Sequence, residues 1–123
     1  MKPVDLLQRF VTSVPEFEAQ WHSERNDHRE PDGRFTLHGV CAEFSSCFRD
    51  RYMTLSDDVL KDLFELIERH LVEPDAEETT LDNALCTCFL ENISSEPCGQ
   101  AAKPWMGRKS RAFFDRWHHG PPY

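Results

Sequence analysis

The stretch "SDDVLKDLFELIERHL", residues 56–71, decides the fold class, because it encodes both the start and the buried face of a helix. Ser56 is a favourable N-cap, and Asp57 and Asp58 bring negative charge to the positive end of the helix dipole. Apolar side chains then recur at helical spacing along one broad face. They are Val59, Leu60, Leu63, Phe64, Leu66, Ile67 and Leu71. The stretch predicts a helix over residues 57–72.

The segments on both sides of this stretch repeat its pattern. Residues 35–52 place their apolar side chains on one arc, as do residues 80–93, whereas "SSEPCGQ" at 94–100 has the composition of a loop. No segment shows the sustained polar–apolar alternation that is typical of half-buried strands. The sequence therefore predicts an all-α fold, a compact bundle or a short solenoid-like array of about six helices. The predicted helices cover residues 3–14, a short segment carrying Phe17 and Trp21, and residues 35–52, 57–72, 80–93 and 107–118.

The length of 123 residues corresponds to one domain, residues 1–123, which is large enough to bury a core without disulfides or metals. The chain has no run of the roughly 18 to 20 apolar residues that span a bilayer, and its start lacks the apolar stretch of a signal peptide. We expect a cytoplasmic protein that does not enter a membrane. The sequence leaves its oligomeric state open.

Three of the five cysteines, Cys86, Cys88 and Cys98, lie close together and raise the question of a metal or redox site. On a helix, residues i and i+2 point about 200° apart, so Cys86 and Cys88 cannot both reach one tetrahedral zinc ion. The pattern favours packing, with Cys88 in the core and Cys86 at its flank. His118 and His119 diverge on a helix and have no partner at ligand spacing. We predict no metal and no cofactor; the alternative is a metal- or thiol-dependent regulator that uses the three cysteines.

Motifs that carry catalysis are missing from the sequence. The five glycines are far apart, and there is no nucleophile elbow, no His-Glu-x-x-His and no EF-hand loop. His70 lies within the apolar arc of its helix, which favours a half-buried ring with a hydrogen-bond partner. Asn92 interrupts the apolar stripe of residues 80–93, and we expect its amide to bond the backbone at a helix end or in a neighbouring loop. The sequence predicts neither an enzyme nor a catalytic residue.

Charge is divided unevenly along the chain, whose net charge is -8. Residues 1–98 carry 21 acidic and nine basic side chains, whereas residues 99–123 carry one acidic and five basic ones. Such an acidic body repels nucleic acid and attracts basic partners. We expect the basic C-terminal segment to pack across the acidic helices at 57–72 and 80–93, and we expect no binding to nucleic acid.

Two segments carry a resemblance to a known family. "FLENI" at 89–93 and "MGRKSRAFFDRW" at 106–117 resemble the paired signatures of small, all-helical bacterial proteins, in which one helix ends in "FLENL" and the final segment reads "LLGPKSRELLREW". Arg108 stands where that family often has proline. The family is a domain of unknown function, and some members are candidate immunity proteins of polymorphic toxin systems. The resemblance covers residues 35–118, and it implies a fold without supplying a catalytic residue.

The acidic body and the resemblance together predict a cytosolic bacterial immunity protein that binds a cognate protein toxin and neutralises it. Many toxin domains attack nucleic acid and are basic, so an acidic inhibitor gains fast, electrostatically steered association. The candidate contacts are carboxylates of the helices at 57–72 and 80–93 and of the connection between them. They are Asp58, Asp62, Glu65, Glu68, Asp75, Glu77, Glu78 and Asp82.

Overall fold

The computed structural model describes the backbone of residues 1–118 and the side chains of residues 1–116. Helices account for all the regular secondary structure in these residues. The predicted all-α fold is confirmed. None of the described helices is long and apolar enough to cross a membrane. In chain order the elements are α1 (Pro3–Ser13), α2 (Phe17–Trp21), α3 (Leu37–Arg51), a 3-10 turn (Tyr52–Thr54), α4 (Asp57–His70), α5 (Thr80–Ala84), a π-helical segment (Leu85–Leu90), α6 (Glu91–Ser94), α7 (Pro97–Ala102), a second 3-10 turn (Lys103–Trp105) and α8 (Arg108–His118).

An aromatic cluster at the centre of the molecule holds these helices together. The ring of Phe44 on α3 stacks on Phe10 of α1 at a centroid distance of 4.0 Å and on Phe89 of the π-helical segment at 5.6 Å. Phe89 also contacts Phe48 of α3 and Phe64 of α4. All five side chains are at most 1% exposed. Because these elements share one core, the helices form a bundle rather than a solenoid-like array.

Three of the helices begin at a side-chain cap that the local sequence supplies. Thr36, Ser56 and Thr79 each accept a hydrogen bond from the backbone N–H three residues ahead, at 3.0 to 3.2 Å. A cap of this kind contributes about 1 kcal/mol to stability. The predicted N-cap at Ser56 is confirmed, and α3 and α4 lie within the predicted ranges 35–52 and 57–72.

The segment predicted as a loop at 94–100 is partly helical, which corrects the sequence prediction. Pro97 occupies the first turn of α7, where the N–H that proline lacks would have no partner. A methyl group at Gly99 would lie 2.0 Å from the carbonyl oxygen of Ile93, so α7 packs this closely only because the residue is glycine. Cys98 and Gly99 are buried by this tertiary contact, which local composition does not encode.

Candidate functional site

A carboxylate of α4 holds α8 in place by acting as its N-terminal cap. Glu68 accepts hydrogen bonds from the backbone N–H of Lys109 at 3.0 Å, from the backbone N–H of Ser110 at 2.9 Å and from the Ser110 hydroxyl at 2.8 Å. Burial raises the pKa of Glu68, but the hydrogen bonds from Ser110 and Lys109 outweigh burial and keep this pKa below its ordinary value. Both carboxylate oxygens of Glu68 are therefore engaged within the chain, which leaves this predicted contact less available to a partner than an unbonded carboxylate.

Gly107 and Lys109 complete the contact between α4 and α8. A Cβ atom at Gly107 would lie 2.5 Å from the carboxyl carbon of Glu68, so a glycine leaves the room that the cap needs. Lys109 Nζ donates to the carbonyl oxygen of Leu71 at 2.7 Å, at the negative end of the α4 dipole. On its other side, α8 packs against the π-helical segment and α6. The predicted packing of the basic segment across both acidic helices is confirmed.

The other predicted contacts fall into separate groups. Asp58, Asp62 and Glu65, which we call the α4 stripe, are exposed at the i, i+4 and i+7 spacing of one helix face. The second group lies in residues 73–79, which we call the acidic loop, and continues to Asp82 on α5. Since α4 rises about 18 Å between Asp58 and its last residue, the stripe begins at the opposite end of the helix from the loop. The structure therefore brings some of the predicted contacts together, but not all of them.

The acidic loop contains four exposed acidic residues and no basic residue. Glu73 pairs with Arg108 of α8 at 2.7 Å, and Glu78 accepts a hydrogen bond from the side-chain amide of Asn83. The other two, Asp75 and Glu77, make no hydrogen bond or ion pair with any described residue. Free negative charge is therefore concentrated at the middle of this loop.

A groove of about 520 Å³ opens between the acidic loop, α5 and α8. Val72, Ala112 and Phe113 contribute apolar surface to it, and Glu78 and Asp82 line one wall. One oxygen of Asp82 accepts a hydrogen bond from the backbone N–H of Val72 at 3.0 Å, which ties the start of α5 to the end of α4. The groove thus combines an apolar floor with an acidic wall.

Two basic residues of α8, Lys109 and Arg116, also line the groove, and each contacts an uncharged group of the chain. Lys109 is bonded to the Leu71 carbonyl oxygen, and the guanidinium carbon of Arg116 lies 4.8 Å from the centroid of the Phe113 ring. That distance is typical of a cation–π contact. These contacts fix the positions of both basic groups but do not neutralise their charge.

Cys86 and Thr87 of the π-helical segment also line the groove. The prediction that Cys88 is the core thiol and Cys86 the flanking one is wrong, since Cys86 is 8% exposed and Cys88 is only half-buried. A π-helix closes its hydrogen bonds from i to i+5, so its wider turns shift the buried face relative to a 3.6-residue pattern. Burial raises the pKa of Cys86 to about 12, and the Asp82 carboxylate adds to this increase. The Cys86 thiol is therefore protonated at neutral pH.

Asn92 stabilises the helical run around this irregular segment. Its side-chain Nδ2 donates to the carbonyl oxygen of Cys88 at 2.7 Å and to the hydroxyl of Ser45 at 3.3 Å. The predicted bond to the backbone is confirmed, although it lies one turn upstream within the run rather than at a helix end or loop. The second bond joins the run to α3, so the amide both supports the π turn and fixes it against the core.

Candidate metal ligands are not clustered in the part of the chain that the structure describes, where no group of three or more His, Cys, Asp or Glu side chains could hold an ion. Burial raises the pKa of Cys98 to about 11, so this thiol is also protonated at neutral pH. His119 and the side chain of His118 lie outside the described residues.

His70, at the end of α4, lacks the hydrogen-bond partner that the sequence suggested. Its Nε2 atom is buried and has no partner among the described residues, which corrects that prediction. Burial lowers the pKa of His70, and the positive charges of Arg69 and Arg9 lower it further. The ring is therefore neutral at neutral pH, and its neighbours are basic groups rather than the acids that follow it in the sequence.

The comparisons with known proteins identify a family but no individual relative. No curated protein and no solved structure matches the chain. A family model described as a domain of unknown function, DUF7674, matches residues 7–120. This match includes both signature segments, 89–93 and 106–117, whose residues form the π-helical run and the capped start of α8. The chain therefore belongs to DUF7674, a family of domains of unknown function.

Proposed function

We propose that the chain is a cytoplasmic immunity protein of bacteria, which binds a basic protein toxin and neutralises it through an acidic surface centred on the acidic loop. The observation that carries this proposal is the pair of exposed, unpaired carboxylates of Asp75 and Glu77 beside the groove. Glu68 and Glu73 are bonded within the fold, whereas these two carboxylates are not. A basic partner can pair with them without first displacing an internal contact.

Charges elsewhere on the molecule support the same proposal over a longer range. The net charge of -8 and the α4 stripe create a negative field, and such fields raise association rates with basic partners by roughly 10 to 1,000-fold. At physiological ionic strength this field decays over about 8 Å. The loop therefore supplies the contact, and the stripe contributes to steering.

Neutralisation by such a surface requires no catalytic group. A toxin that acts on nucleic acid holds its substrate with basic side chains. An acidic protein that covers those side chains blocks the substrate by occupying its site. The affinity then depends on the fit of the contact, and the association rate depends on the charge.

The direct test is coexpression of the chain with the product of the neighbouring open reading frame. We expect that product to arrest growth when expressed alone, the chain to restore growth, and the two proteins to copurify with a dissociation constant in the nanomolar range that is typical of specific complexes. A chain that neither binds this product nor restores growth would overturn the proposal.

The role of the loop is tested with two variants that change the net charge equally. Asp75→Lys combined with Glu77→Lys alters the loop, and Glu24→Lys combined with Asp27→Lys alters exposed residues between α2 and α3. We expect the loop variant to reduce the association rate about tenfold and the control to change it little. At about 1 M salt, where screening acts within about 3 Å, this difference should largely disappear. Equal effects of the two variants would mean that the loop is not the contact.

A further inference from the structure

The groove beside the acidic loop suits a segment that is both basic and apolar. We infer that a basic segment of the toxin enters this groove, with the stem of a lysine or arginine on Val72 and Phe113 and its cation at Glu78 and Asp82. This inference rests on the proposed function, and it goes further by naming the contact that orients the partner.

The acidic wall has binding capacity left for a cation. Glu78 and Asp82 each use one carboxylate oxygen for a hydrogen bond within the chain, to Asn83 and to the backbone of Val72. The second oxygen of each has no hydrogen bond among the described residues. These bonds also hold both carboxylates in place, so a bound cation would meet an acceptor pair that is already oriented.

The apolar residues that line the groove favour the stem of a basic side chain. Lysine and arginine bury their methylene stems on apolar surface while the charged end stays at a polar group, and Val72 and Phe113 provide such surface. The volume of about 520 Å³ is that of a typical binding pocket. Lys109 and Arg116 also line the groove, and their contacts with the Leu71 carbonyl and the Phe113 ring fix their positions. The second carboxylate oxygens of Glu78 and Asp82 therefore remain the acceptors that an incoming cation can reach.

The π-helical segment also lines the groove, and π turns occur frequently at functional sites. Cys86 and Thr87 of this segment face the groove, and the Asn92 amide fixes the turn against α3. The irregular turn thus shapes the groove instead of continuing the regular stripe that the sequence suggests.

The first test fills the groove without changing its charge. Ala112→Trp places a large side chain in the groove, and Ala101→Trp places the same side chain on the exposed face of α7 outside it. Binding is measured by calorimetry with the purified product of the neighbouring open reading frame. We expect Ala112→Trp to weaken binding about 30-fold, the loss typical of one strong interface residue, and Ala101→Trp to bind like the wild type.

The second test removes charge from the groove without changing its shape, and it applies even if Ala112→Trp does not fold. Glu78→Gln with Asp82→Asn keeps the oxygens that accept the internal hydrogen bonds. Asp62→Asn with Glu65→Gln removes two charges from the α4 stripe as the control. We expect the groove variant to raise the dissociation rate about tenfold and the control to leave it unchanged.

The outcomes separate this inference from the proposed function. If the wild-type chain does not bind the neighbouring product, the proposed function fails and the inference fails with it. If the wild type binds the neighbouring product and both groove variants bind it as tightly as the wild type does, the inference alone is overturned. It is also overturned if the groove instead holds a second copy of the chain, which sedimentation would show as a wild-type dimer that Ala112→Trp abolishes.

Discussion

Replacement of Glu68 by alanine is expected to loosen α8 and to lower the free energy of unfolding by about 2 kcal/mol. The change removes three hydrogen bonds to a charged acceptor, each of which contributes about 1.5 to 3 kcal/mol where water cannot replace it. Because Glu68 is only half-buried, water replaces part of this loss, and a total near that of one or two helix caps remains. For a chain of this length, 2 kcal/mol corresponds to a decrease in Tm of about 8 °C.

The matched control is Glu65→Ala, one turn earlier on the same helix, where the side chain is exposed and makes no hydrogen bond. We expect this control to change stability by less than about 0.5 kcal/mol. Urea unfolding followed by far-UV circular dichroism measures both variants under the same conditions. Equal stabilities of Glu68→Ala and Glu65→Ala would refute the capping role of Glu68.

The pH dependence of the same contact follows from the lowered pKa of Glu68. A carboxyl group whose pKa is lower in the folded state contributes stability that is present above its unfolded value, 4.5, and is lost as the pH falls through the folded value. We therefore expect the difference in stability between the wild type and Glu68→Gln to be largest near neutral pH and to shrink below about pH 4. A difference that stays constant down to pH 2 would contradict this.

Three further experiments test the packing, two with substitutions and one with a thiol label. We expect Phe44→Ala to lower the free energy of unfolding by about 4 kcal/mol, since it empties the centre of the core. Cys86→Ser should cost only about 1 kcal/mol, because the Asp82 carboxylate can accept a hydrogen bond from the new hydroxyl. Urea unfolding compares the two variants. Gly107→Ala should cost about 2 kcal/mol in the wild type and much less in the Glu68→Ala background, since both changes disrupt one contact. A double-mutant cycle measures this, and additive costs would contradict the shared contact. A thiol reagent at pH 7.5 should label Cys88 first, since it is the only half-exposed thiol among the described cysteines; mass spectrometry that finds a buried cysteine labelled first would contradict the structure.

The sequence predicted those elements whose signals are local. Ser56 and the apolar face that follows it define α4, because a cap and a 3.6-residue period lie within a few residues of each other. The orientation of Cys86 and Cys88 was predicted wrongly for the same reason, since the period of a regular helix was applied across a π turn. Nothing in the local composition of residues 85–90 signals that turn.

The features of the candidate site that the sequence missed depend on contacts between distant residues. Glu68 and Ser110 are 42 residues apart, so capping of α8 by α4 cannot be read from either segment. One signal was available, since Gly107 directly precedes α8 and has no side chain with which to cap it. The groove likewise depends on how the acidic loop packs near α8, and this tertiary arrangement is not encoded in the local sequence of either segment.

Because α4 supplies the cap of α8, the formation of α8 depends on the tertiary fold. A segment of about 12 residues is too short to sustain a helix alone in water, because nucleation costs more than a few hydrogen bonds return. During folding, the basic segment is therefore expected to remain unstructured and positively charged until α4 has packed on the core. In that interval the chain would carry its own competitor for the acidic surface. Docking of the segment onto Glu68 confines its contact with the acidic loop to the Arg108–Glu73 pair and leaves Asp75 and Glu77 available to another protein.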